Sequence, residues 1–157
     1  VKAEFIVVLE WDEDASDDLD LWMQLDKNKP VGFTNREDTP LHLDRDDLGT
    51  TNDRIVVDGK VIFIKTNRET ITIRGIIPGE YFVTVHAYSK KAANVPYTVT
   101  VMKVNPFRQL YSLTGEFLVN REIQRLPAFT VDANGRVTSV FQHFKDIVPS
   151  RSGAGTQ

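Results

Sequence analysis

The chain has 157 residues, 41% apolar and 26% charged, with a formal net charge of −3 and no cysteine. That length suffices for one domain with its own core, which buries about 70% of the surface an unfolded chain exposes. The lack of cysteine excludes disulfides, zinc–thiolate sites and thiol nucleophiles, and no apolar run reaches the ~20 residues of a membrane-spanning helix.

The charge is unevenly distributed. Residues 1–60 hold 16 acids and 7 bases, whereas residues 61–157 hold 6 acids and 12 bases. Nucleic acid needs one coherent basic face, so it is excluded as a partner. The asymmetry suits a cation in the first half, or head-to-tail association of copies. The chain begins at Val1 rather than methionine. An upstream signal peptide or membrane tether, lost N-terminal to Val1, is therefore expected.

Taken in order, the dominant hydrophobic period is two. In AEFIVVLEW, Phe5, Val7, Leu9 and Trp11 alternate with Glu4, Ile6, Val8 and Glu10. In DLDLWMQL, Leu19, Leu21, Met23 and Leu25 share one side. In EYFVTVHAY, Tyr81, Val83, Val85 and Ala87 do the same. Such alternation marks half-buried strands. The first and third segments are apolar on both sides, which predicts central strands. Between the second and third, residues 26–53 offer only short apolar pieces and read as a long irregular loop of functional character. Asp58-Gly59 predicts a two-residue hairpin, Pro78-Gly79 a tight turn and Asn134-Gly135 a further hairpin. Nine or more short strands and no helical stripe predict an all-β chain. The expected fold is an antiparallel β-sandwich, jelly-roll or Ig-like, over residues 1–148, with a disordered tail at 149–157.

The stretch WDEDASDDLDLW, residues 11–22, contains five aspartates and one glutamate. If Leu19 and Leu21 face the core, Asp18 and Asp20 share the other side about 7 Å apart. A second run, HLDRDDLG, puts Asp44 and Asp46 on one side of an extended segment. Carboxylates 5 Å apart repel by roughly 0.8 kcal/mol in water and by more where water is excluded. A solvated rim protecting an edge strand and a bound cation both answer that repulsion. For a cation, Ca²⁺ suits an irregular all-oxygen site better than Mg²⁺, and transition metals want imidazole or thiolate. The acidic runs include only His42. The candidate metal ligands are Asp12, Asp14, Asp17, Asp18, Asp20, Asp44, Asp46 and Asp47, with the ion clamping the 11–18 loop to the 41–53 loop. No EF-hand spacing is present.

The order WD, DLDLW, LHLDRDDLG and TIRGIIPGEYFVTVHAY resembles a YfaP-type domain of unknown function from bacteria and their phages, over about residues 9–105. That resemblance implies a non-catalytic β-sandwich that is often exported or membrane-tethered. It implies Asp12, Asp18, Asp20, Asp44, Asp46 and Asp47 as the family aspartates. Residues 106–148 lie outside the motif and read as an added C-terminal strand extension.

Catalysis finds little support, because no nucleophile elbow, phosphate loop or His-Glu-x-x-His occurs. His86, beside Tyr88, reads as a packing histidine. Trp22 falls on the side of Asp18 and Asp20, so Trp22, His86 and Tyr88 form a candidate ligand-binding surface for carbohydrate. A tryptophan packed under a loop is the plainer alternative. The expected function is a non-enzymatic structural or assembly module of a bacterial envelope or phage-related particle. It would be extracytoplasmic, with protein partners or self-association. A calcium-dependent carbohydrate- or surface-binding module is the alternative, and a glycoside hydrolase the third reading.

Overall fold

The computed structural model describes residues 2–11, 17–44, 52–65, 67–91 and 93–149, with backbone alone for 52–57 and 61–65. Asp12, Asp14, Asp46, Asp47 and the tail from Ser150 onward lie outside the described residues.

Among the described residues twelve strands run in chain order: β1 (Ala3–Trp11), β2 (Asp18–Leu25), β3 (Glu37–Asp38), β4 (Leu41–Asp44), β5 (Asn52–Val57), β6 (Lys60–Lys65), β7 (Asn67–Arg74), β8 (Gly79–Ser89), β9 (Val95–Lys103), β10 (Arg108–Phe117), β11 (Ile123–Val131) and β12 (Val137–Phe141). There is no helix among the described residues. One sheet has the order β10-β9-β1-β7-β4-β3 and the other β12-β11-β8-β2, while β5 and β6 form a separate hairpin. Every pairing is antiparallel. The fold is the expected antiparallel β-sandwich.

The alternation read along the chain determines which side of each strand meets the core. Phe5, Val7 and Leu9 of β1, Ile71 and Ile73 of β7, and Val99 and Val101 of β9 line one sheet. Leu19, Leu21, Met23 and Leu25 of β2 face them with Tyr81, Val83, Val85 and Ala87 of β8. Strands β1 and β8 are interior to their sheets, as their two apolar sides predict. Asp58 (φ 51°) and Gly59 (φ 75°) both take the left-handed conformation at the β5–β6 turn, which a two-residue hairpin demands.

Residues 106–148 supply the expected C-terminal strands, and these are integral to the sandwich: β10 pairs with β9, and β11 pairs with β8. Without β11 the second sheet would keep only β8 and β2, too few strands to cover the first. One expectation is corrected. Within residues 26–53, the described part up to Asp44 is not irregular throughout. It carries β3, β4 and two isolated bridges, Met23–Val31 and Gly32–Asn35.

A second apolar cluster lies on the outer face of the smaller sheet. It joins Trp22, Phe82, Ala128 and Ile147, with Phe33, Phe141 and Val148 packed on it. The 31–35 bend and the segment after β12 thus cover that face. This is why seven of the eight β2 residues are buried although β2 is an edge strand.

Candidate metal centre

Strand β2 has one neighbour, β8, so half its backbone groups point to an open edge. That edge is covered piecewise. Met23 and Val31 exchange N–H···O bonds of 3.0 and 2.8 Å. The Leu21 N–H, further along, donates to Glu69 Oε1 at 3.0 Å. Glu69 belongs to β7 of the other sheet and stands in the same alternation as the core residues Ile71 and Ile73. A carboxylate thus enters the seam between the sheets and caps a backbone donor.

Asp18 and Asp20 of β2 meet Glu69 there. One oxygen from each of the three lies within 4.8 Å of the others. Asp18 is exposed, Glu69 half-buried and Asp20 buried, at 3% exposure. At that spacing two carboxylates repel by about 3 kcal/mol at an effective dielectric of about 20, and by less where exposed Asp18 is a partner. Burial, then the charges of Glu69 and Asp18, push the Asp20 carboxyl up to about 9. Burial also pushes Glu69 up to about 7, against the Leu21 N–H and Arg36, which favour its ionised form. Asp18 is raised by burial of its carboxyl group. Protons therefore occupy Asp20 and part of Glu69 near neutrality unless a cation takes their place.

His86 completes the surroundings. It is the direct cross-strand partner of Asp20 in the β2–β8 ladder and is fully buried. Its Nδ1 is 4.0 Å from Asp20 Oδ2. Among the described residues neither ring nitrogen has a hydrogen-bond partner, and neither has Asp20 Oδ2. A buried polar atom left so costs about 1–3 kcal/mol. Burial first, and the Arg121 charge second, bring the imidazole down to about 4, so it is neutral at pH 7.

The other expected ligands are placed differently. Asp17 is buried, and its carboxylate accepts the Lys91 N–H, while its carbonyl accepts Trp11 Nε1–H at 3.1 Å. It ties the start of β2 to the β8–β9 connection. Asp44 stands opposite Thr70, the chain neighbour of Glu69. Its side chain, however, turns to Arg74 Nη2 at 3.2 Å and His42 Nε2 at 3.6 Å. Alternation along β4 sends Leu41 and Leu43 inward, and Asp44 with His42 to the opposite face. Of the ligands expected in the 11–18 to 41–53 clamp, only Asp17, Asp18 and Asp44 are among the described residues, and the carboxylates that meet among the described residues join β2 to β7.

Trp22 is corrected as well. It is fully buried under Gly32 and Phe33, with ring centroids of Trp22 and Phe33 5.8 Å apart, and offers no open ring. Tyr88 keeps 36% exposure. It meets Phe33 edge-on at 5.3 Å, and the Arg121 guanidinium lies 5.7 Å from its ring centre. Glu69 was missed by sequence reasoning. Its signal was an acid in register with Ile71 and Ile73, on the side that an amphipathic strand reserves for the core.

Two packed antiparallel sheets with a carboxylate centre at their seam define the class: an all-β sandwich with a candidate cation site. Comparison with protein-family models, with curated proteins and with solved structures found no match.

Proposed function

We propose that this chain is a non-catalytic structural module of the YfaP type that its motifs resemble, in which a divalent cation ties the two sheets together. One observation supports the reading above all. Carboxylates from the edge strand of one sheet and an interior strand of the other come within 4.8 Å, and Asp20 among them is buried with Oδ2 unpartnered. Ionised together at that spacing the carboxylates would repel, which bound protons relieve; a cation in their place would turn the repulsion into an attraction between the sheets. Calcium is the first ion to consider, because it accepts six to eight oxygens and tolerates irregular geometry. An affinity of ~10⁻⁴–10⁻³ M, usual for extracellular modules, suits an envelope or virion surface. There the module would hold protein partners or copies of itself, tethered from an upstream segment.

Thermal melting in chelator and in millimolar Ca²⁺ tests the reading. Calcium at tenfold over its Kd adds about 1.4 kcal/mol, or roughly 3–6 °C for a chain of this size. Asp20→Asn should abolish the gain. Identical melting with chelator and with calcium would remove the ion from the account.

The half-exposed Tyr88 ring, packed against Phe33 on the His86 side of the sheet, supports a second reading, calcium-dependent carbohydrate binding. A glycan array run with and without calcium separates the two. Binding lost in Tyr88→Ala would favour the second.

A further inference from the structure

The end of the sandwich that carries the carboxylate centre also carries an apolar tip. Residues 118–122 join β10 to β11, and there Leu118 and Val119 each keep 62% exposure. The turn that presents them is held from within. Both of their N–H groups donate to Glu122 Oε1 at 3.2 Å, and the Glu122 N–H donates to the Val119 carbonyl at 3.3 Å. Arg121 takes the left-handed conformation (φ 66°), and its N–H donates to the Ala87 carbonyl of β8 at 2.9 Å. The acid of the turn is thus occupied with backbone donors, while the apolar pair is held outward in one geometry. Such preorganisation lowers the ordering cost of docking.

Basic and aromatic side chains flank the tip. The Arg121 guanidinium lies 5.7 Å from the centre of the half-exposed Tyr88 ring. The Lys90 N–H donates to Asn120 Oδ1 at 2.8 Å, which sets Lys90 and Lys91 of the β8–β9 connection beside the turn. An apolar apex above tyrosine and basic residues suits a bilayer interface. There apolar groups reach the acyl boundary, tyrosine sits among the headgroups and Lys or Arg meets anionic lipid. A second copy fits less well, since a stable protein interface takes about 800 Å² per partner and the apex is two side chains. The carboxylate centre adjoins these residues. Ser89 pairs with Asp18 across the β2–β8 ladder, and the Asp17 carboxylate accepts the Lys91 N–H. Residues 12–18 hold five acids. Their charge repels an anionic surface within a Debye length of about 8 Å unless a cation offsets it.

We infer that this tip docks on an anionic phospholipid surface, with Leu118 and Val119 entering the headgroup region and Lys90, Lys91 and Arg121 meeting lipid phosphates, and that docking requires calcium in the carboxylate centre. The inference rests on the reading that the centre binds calcium. The test sediments the full chain with vesicles of phosphatidylglycerol mixed with phosphatidylcholine, and with phosphatidylcholine alone, in millimolar Ca²⁺ or in chelator. Binding to the anionic vesicles in calcium should be at least tenfold stronger than in the other three conditions. Leu118→Ser with Val119→Ser, and separately Lys90→Gln with Lys91→Gln, should each weaken it tenfold or more. Both double variants should keep the rise in melting temperature that calcium gives the native chain. No binding to anionic vesicles, equal binding by the variants, or undiminished binding in chelator overturns the inference, while a retained calcium-induced rise in melting leaves the cation-tied module standing. Association of copies in calcium without vesicles, abolished by the same variants, assigns the tip to self-association and also overturns it. No vesicle binding together with no melting response to calcium overturns both.

Discussion

At the residue scale, two residues report on the cover over the smaller sheet. Gly32 lies flat against the Trp22 indole, where an added Cβ would overlap the ring. Gly32→Ala should destabilise by about 1–3 kcal/mol, as overpacking does, and chemical denaturation would measure it. His143 pins the segment after β12. Its Nε2 lies 3.2 Å from the Val83 carbonyl and its Nδ1 accepts the Lys145 N–H at 3.2 Å, so the proton sits on Nε2. Burial pulls this histidine below its ordinary value. In the unfolded chain it takes a proton near pH 6.5, and in the folded chain only at lower pH. Its contribution is therefore present above pH 6.5 and is lost as pH falls below it. Asp20 and Glu69, with raised values, act with the opposite sign. The difference between the native chain and His143→Gln isolates the histidine. Between pH 7 and 5 the native chain should lose more stability than the variant, and equal losses in parallel urea melts would refute this assignment.

At the element scale, β2 decides most of the site. An edge strand with an open row of backbone donors invites pairing with other chains. Here Val31 closes one position and Glu69 another. Glu69 thus has two roles, capping Leu21 and adding a charge, and they can be separated. Glu69→Gln keeps an acceptor and removes the charge, so the metal-free chain should be at least as stable as the native one. Glu69→Leu leaves the Leu21 N–H without a partner and should cost about 1–3 kcal/mol. Denaturation of both variants in chelator compares them, and equal effects would mean that the cap contributes nothing. The same edge explains why Asp18 and Asp20 do not simply face water. The seam between the sheets is next to them, and Glu69 reaches it from the other side.

At the scale of the whole molecule, the sandwich has a third, partial layer made of the 31–35 bend and the segment after β12, closed over Trp22, Phe82 and Ala128 by Ile147. Ending the chain after Phe141 should uncover the Trp22 ring. In a Trp11→Phe background its emission should shift to the red, and an unshifted spectrum would show that the 31–35 bend alone buries it. The origin of these features is divided between sequence and fold. Period-two alternation in AEFIVVLEW, DLDLWMQL and EYFVTVHAY determined which side of each strand meets the core, and the turn pairs Asp58-Gly59 and Asn134-Gly135 determined where the chain reverses, because both depend on neighbours in sequence. The crowding of Asp18 and Asp20 was legible for the same reason. The chain alone could not pair Asp20 with His86, bring Glu69 from the opposite sheet, send Asp44 to Arg74 or bury Trp22 beneath a bend. Those depend on ladder register and on which segment covers which face, and register is a property of two strands together, decided by the packing of the whole core.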